Sequence, residues 1–244
     1  MTFCKLKISK VKCKMALYFW LNFLVIIFPF LLSFDKKVAF WRRWPPLLLS
    51  MLVVSSSFII WDIIVTEIGH WSFSETLAGT FKLINLPLGE WFFFIAVPYA
   101  TVFIYECVRA YSTEKMLNIP RYVFIIIGSI GFIPMFFFLD RGYTVIMVIV
   151  FFITMLLVSF LVHEKFQSSW TIIALFLSYI PFLIFNGVFT FLPIVSYSSE
   201  AIIGLRVISI PIEDFFYSFS LISLYYVFYS MFRERFSIKI KRDE

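Results

Sequence analysis

Residues Ser209 to Ser230 read SIPIEDFFYSFSLISLYYVFYS. A proline opens an apolar run, two carboxylates follow at once, and the run from Pro211 to Phe232 has the ~20 residues that a helix needs to cross a bilayer. The setting follows from composition. The chain is 61% hydrophobic and 22% aromatic, with 15% charged residues and a mean hydropathy of +0.94, which places it outside the range of water-soluble domains. Lipid solvates such a surface provided that every backbone polar group is satisfied within helices, so the expected fold is an all-α polytopic membrane bundle.

Seven stretches approach spanning length: 15–33, 45–65, 87–105, 122–139, 144–162, 170–188 and 211–232. Only DRGY separates the fourth from the fifth, which predicts a tight antiparallel hairpin with Gly142 in the turn. Two longer connections, 66–86 and 189–210, are rich in aromatics and glycine and lead into proline-started helices. Irregular backbone is tolerated at membrane depth where protein covers it or where it lines a cavity, so these connections point to a site.

The connections at one face carry Lys36, Lys37, Arg42, Arg43, Arg109, Lys115, Arg121, Lys165 and Arg233, whereas the other face has Lys82, Arg141 and Arg206. The positive-inside bias makes the first face cytoplasmic, with the C-terminus inside and the N-terminus outside a cell membrane. The basic tail MTFCKLKISKVKCK argues the other way. It precedes an apolar run without a small-x-small cleavage site, so the run reads as a retained anchor. The net charge of +6 reflects headgroups and this bias, and nucleic acid is not an expected partner. Cys4, Cys13 and Cys107 form neither a zinc spacing nor a disulfide framework, and His70 and His163 fall at opposite faces, so no metal is expected. No G-x-G-x-x-G or P-loop pattern occurs, and no cofactor is expected.

A faint internal repeat is present: NLPLGEWFFF from Asn85 and SIPIEDFFYS from Ser209 share an apolar, proline, apolar, x, acid, aromatic pattern. These are the third and seventh spans, which run in the same direction, so the expected halves are parallel repeats. The chain then divides into a basic tail (1–14), a first three-helix repeat (15–110), a connecting helix (111–143), a second repeat (144–232) and a basic C-terminal tail (233–244).

Ionisable groups at membrane depth are costly and mark functional sites. Asp62 near the end of span two, Glu90 at the start of span three, and Glu213 and Asp214 at the start of span seven all fall at one face. Pro87 and Pro211 followed by acids also describe an ordinary helix start, where the macrodipole favours negative charge. Burial and like charge act against ionisation, so converging carboxyls there would include a protonated acid. Glu106 lies ~24 Å from Glu90 along its helix and reads as a solvated helix-end acid. Trp61, Trp91 and Phe215 neighbour the acids and are the aromatics best placed to face a cation. Asn186 and Arg206 are the other marked polar residues, each with a structural reading as well: a helix-end cap for the amide, and pairing with Glu213 or Asp214 for Arg206.

The runs FDKKVAFWRRW, WDIIVTEIGHWSFSETLAGTFKLINLPLGEWFFFIAVPYATVFIYE and IPFLIFNGVFTFLPIVSYSSEAIIGLRVISIPIEDFFYSF resemble the membrane-integral, flavin-independent lycopene beta-cyclases, over roughly residues 17–232. The resemblance implies an isomerising ring closure on lycopene or a related linear carotene, without net redox change. A proton adds to the terminal double bond, a neighbouring alkene captures the cation, and a ring proton leaves. It also implies a bilayer setting, with other carotenoid-pathway enzymes as candidate partners. Glu213 and Asp214 match the second acidic pair of the family, and Glu90 the second member of the first pair. The first motif departs from Pro-x-Glu-Glu: it reads Pro87-Leu88-Gly89-Glu90, and Asp62 is the nearest compensating acid. An alternative reading is a degenerate relative that binds carotenoid or pathway enzymes without turnover. A retinal receptor is excluded because span seven has no lysine for a Schiff base, and a prenyl-transferring enzyme is a weaker reading, because that chemistry usually needs paired aspartate-rich motifs and no D-x-x-x-D is present.

Overall fold

The computed structural model describes residues 17–243, with side chains to residue 236; the basic N-terminal tail, Cys4 and Cys13 lie outside the described residues. Seven apolar helices cross the described chain: α1 (Leu17–Leu32), α2 (Trp44–Glu67), α3 (Leu88–Tyr111), α4 (Arg121–Gly131), α5 (Gly142–Leu161), α6 (Ser169–Phe191) and α7 (Ile212–Asp243). Five of them are long and apolar enough to span a bilayer. The chain is an all-α membrane bundle. Local chemistry sets the helix starts: Pro45 and Pro46 occupy the first turn of α2, where no amide hydrogen is needed, Pro87 precedes α3, and the Ser168 hydroxyl caps the Trp170 amide of α6.

The fourth span is shorter than expected. α4 ends at Gly131, and a 3₁₀ turn, Ile133–Phe136, follows. Pro134 denies the helix an amide and crowds the preceding turn. Gly142 is no turn residue either; it begins α5, and a Cβ there would lie 2.5 Å from His70 Nε2, so close approach is what requires glycine. Gly128 and Gly131 serve the α4–α5 contact in the same way, against Met155 and Phe151.

α1 packs on α3 and α5 on α7, the same relation in each half. The middle helices cross over: α2 lies mainly against α7, and α6 mainly against α3. The two halves are therefore interleaved, and anything at the centre is built from both.

The long connections form a layer over one end. β1 (Trp71–Phe73) pairs antiparallel with β4 (Val195–Tyr197), Trp71 opposite Tyr197. Two tiny hairpins lead into the proline-acid helices. In the first, β2 (Lys82–Leu83) pairs with β3 (Leu86–Pro87), Lys82 opposite Pro87; in the second, β5 (Arg206–Val207) pairs with β6 (Ile210–Pro211), Arg206 opposite Pro211. The internal repeat thus extends upstream of the acids at a constant offset, which also pairs Asp62 with Asn186, Gly89 with Glu213, and Glu90 with Asp214.

The opposite end corrects the reading of Glu106. It is buried, at 6% exposure, and its carboxylate pairs with Arg109 at 3.0 Å and Arg233 at 3.3 Å and accepts from the Tyr229 hydroxyl at 2.8 Å. A carboxylate buried away from water is kept by such partners. Here they tie α3 to α7.

Candidate active site

Beneath the loop layer lies an apolar cavity of about 110 Å³, lined by α1, α3, α6, α7, the start of α5 and the β1–β4 pair. Val25, Val97, Ala100, Phe182, Phe185 and Leu221 make its wall, and two carboxyls enter it, Glu90 from α3 and Asp214 from α7. Both are buried, at 7% and 3% exposure. At 1.5 Å rise per residue the cavity runs ~16 Å down α3, from Glu90 to Thr101.

The two carboxyls have unlike partners. Asp214 accepts three hydrogen bonds: from the Tyr143 hydroxyl at 2.7 Å, from Asn186 Nδ2 at 2.8 Å and from the Tyr197 hydroxyl at 2.8 Å. Burial and the adjacent Asp214 push the Tyr197 phenol well above its usual range, so it stays a donor. Glu90 accepts from the Tyr18 hydroxyl, and the buried carboxyl of Asp62 stands beside it, close enough for the two to interact electrostatically. Two carboxyls can bond to each other only if one carries a proton, because an ionised carboxylate has no donor. Asp62 Oδ1 accepts from Trp71 Nε1 at 2.9 Å and Thr66 Oγ1 at 3.2 Å, whereas its Oδ2 is buried with no hydrogen-bond partner among the described residues.

The halves superimpose in kind. Tyr18 on α1 serves Glu90 as Tyr143 on α5 serves Asp214, and the α2 residue beside Glu90 is an acid where the matching α6 residue beside Asp214 is an amide. Only one of the two matching spaces is open. On the α2 side, Trp61 stacks on Tyr143 and leans on Tyr217, Phe58 packs edge-on against Tyr217, and Tyr225 bonds to Ser55 at 2.8 Å. Thr101, the partner of Tyr225 by offset, leaves the space on the α6 side empty.

Of the other residues singled out by sequence, Asn186 lines the cavity, and Asp62 stands directly behind Glu90. Glu213 does not line it. Its Oε1 accepts from Thr144 Oγ1 and the Ile203 amide, both at 2.7 Å, which fastens the loop layer to α5 and α7. Trp61 fills the closed counterpart space, Trp91 donates to the Leu83 carbonyl, and Phe215 packs on Tyr179 and Phe182 outside the lining. Arg206 is exposed; it donates to the Ser209 carbonyl at 2.6 Å and pairs with neither Glu213 nor Asp214. Pro87 and Pro211 end the hairpins and start the acid-bearing helices. Sequence reasoning missed Tyr18, Tyr143, Tyr197, Trp71 and Asn22. Asn22 is fully buried at the cavity edge, and its Nδ2 binds the carbonyls of Tyr18 and Gly89, both at 3.1 Å.

A membrane-embedded bundle in which two dissimilarly bonded carboxyls face one apolar cavity has the features of a binding site for a lipid-soluble ligand. The chain matches the lycopene cyclase family model over residues 15–108 and again over 140–232. It belongs to the lycopene cyclase family. No curated protein and no solved structure shows significant similarity to it.

Proposed function

We propose that the protein is a lycopene beta-cyclase that closes one end of a linear carotene at a time, without net redox change. The observation that carries this reading is an apolar cavity lined by Glu90, beside which the buried carboxyl of Asp62 stands, and by Asp214, which accepts from three donors. On this reading Glu90 and Asp62 share one proton. Glu90 is the proton donor. Its O–H bond breaks as a C–H bond forms on the terminal alkene, leaving a tertiary cation. The π pair of the neighbouring alkene then makes the ring carbon–carbon bond and moves the charge into the ring. A ring C–H bond breaks, its electron pair becomes the ring double bond, and the proton passes to Asp214. Until then the ionised Asp214 faces the cation in a site without bulk water, where electrostatic stabilisation is strong. Tyr217 lines the same cavity within electrostatic reach of both carboxyls and is the group placed to return the proton to Glu90.

The three-donor cage of Asp214 supports a base role, and the Asp62–Glu90 contact supports an acid role. Gly89 supports the degenerate alternative less than its motif suggests, because the matching Glu213 does not line the cavity. A Cβ at Gly89 would lie 2.3 Å from Tyr18 Cδ1, so glycine there lets Tyr18 reach Glu90. We further propose that the two repeats, 15–110 and 144–232, are the units that supply acid and base, with the cavity end of the bundle outside and the C-terminus cytoplasmic. Expression in cells that accumulate lycopene tests the function. Beta-ring products in the pigment extract are expected; unchanged lycopene with the protein present in membranes overturns the reading. Reporter fusions at the C-terminus test the orientation.

A further inference from the structure

The β2–β3 and β5–β6 hairpins match position by position: Lys82 with Arg206, Leu83 with Val207, Ile84 with Ile208, Pro87 with Pro211. At each turn an isoleucine is held at positive φ, 46° for Ile84 and 60° for Ile208. A β-branched side chain is disfavoured there, and a turn facing water ordinarily uses glycine or asparagine. Neither isoleucine is covered by protein: Ile208 is 92% exposed and Ile84 62%. Leu83, Val207 and Phe81 beside them are exposed as well.

The tips are placed beside the spans. The Ser209 hydroxyl donates to the Gly187 carbonyl at 3.1 Å and accepts from Thr190 Oγ1 at 2.8 Å, which lays the second tip along α6 a full turn inside its Phe191 end. There Ile208 shares an apolar surface with Ile184, Phe191 and Leu192. Asn85 Nδ2 binds Glu67 at 2.6 Å and holds the first tip against the end of α2. At the root of each hairpin stands one exposed cation, and the Arg206 guanidinium lies over the Tyr197 ring, 5.9 Å from its centroid.

We infer that the two tips insert into the boundary between headgroups and acyl chains of one leaflet, with Lys82 and Arg206 at the lipid phosphates. The burial that each isoleucine lacks in the protein is then supplied by lipid, and cations meet phosphates as they do in interfacial segments. Pro87 and Pro211 lie three residues before Glu90 and Asp214, so the inserted hairpins also set the depth of both carboxyls. This inference rests on the membrane-spanning fold alone and stands or falls independently of the cyclase reading.

The test places a nitroxide at I84C or I208C, in the full chain with its three native cysteines changed to serine, in phosphatidylcholine–phosphatidylglycerol vesicles. Collisions with oxygen, which concentrates in lipid, are compared with collisions with a water-soluble nickel chelate. Glu200→Cys, in the same layer and exposed, is the aqueous reference. Oxygen should dominate several-fold at both tips and the chelate at position 200. Chelate dominance at the tips as strong as at position 200 overturns the inference. A tip variant that loses the wild-type melting temperature is replaced by Val207→Cys or Leu83→Cys on the same tip, with the same expectation.

Discussion

Changing Asp62 to Asn isolates the feature on which the division of labour rests. The substitution keeps size and keeps an oxygen to accept from Trp71 and Thr66, but replaces the unpartnered Oδ2 of a carboxyl beside Glu90 with an N–H donor. Glu90 then accepts from the new amide as Asp214 accepts from Asn186, and the first half-site becomes a copy of the second. No proton is left to give. Loss of a positioned general acid lowers rate by about 10² to 10⁴, which at 1.36 kcal/mol per decade is about 3 to 5 kcal/mol of barrier. Stability should change by only about 1 kcal/mol, because each hydrogen bond is exchanged for another. Two measurements check this: turnover of lycopene in vesicles, and the infrared carbonyl band of a protonated carboxylic acid in substrate-free protein. Wild-type protein should show that band, and D62N and E90Q should both lose it, while D214N should keep it. Wild-type turnover in D62N, or a protonated-acid band that disappears only in D214N, refutes the assignment.

Gly89→Ala should lower both melting temperature and activity, since its Cβ would displace Tyr18 from Glu90; overpacking of this kind costs about 1–3 kcal/mol, and a gain in turnover would restore the degenerate alternative. Thr101→Tyr should fill the open cavity as Tyr225 fills its counterpart, and pigment extracts should show unconverted lycopene while detergent melting curves stay within a few degrees of wild type. Burial against Gly142 holds the His70 imidazole below its usual range. A base so held is neutral in the folded chain, so its share of stability is present above the unfolded value of about 6.5 and is lost as pH falls through it. His70→Gln should flatten the melting temperature of the protein between about pH 7 and pH 5.

The bundle was legible because hydropathy is a property of long windows, and α1 to α7 each answer to an expected apolar stretch. Details set by single contacts were not. Glu213 and Asp214 are adjacent in sequence, yet about 100° of helix rotation separates them, so one enters the cavity while the other fastens the loop layer. Tyr18 and Tyr143 went unmarked because nothing distinguishes them among 12 tyrosines in a chain that is 22% aromatic. The signal that finds them is the internal repeat, carried back to the first helix of each half with an offset one residue longer than that relating Glu90 to Asp214. Trp61 neighbours an acid, as read, but its ring closes the wrong space. Glu106 looked solvated because its partners Tyr229 and Arg233 come from the far end of the chain.

The need for two unlike halves follows from the chemistry itself. Ring closure begins with a proton given and ends with one taken, so the two carboxyls in the cavity must differ before substrate arrives. Identical half-sites would surround both carboxyls with the same donors and could separate them only through mutual repulsion, which keeps one proton on the pair without deciding which carboxyl holds it. In this chain the difference is built in at one matched pair, acid at Asp62 and amide at Asn186. A second matched pair, Tyr225 and Thr101, leaves space on one side only. On the proposed mechanism these two pairs decide which carboxyl gives the proton, which receives it, and where the carotene end lies between them.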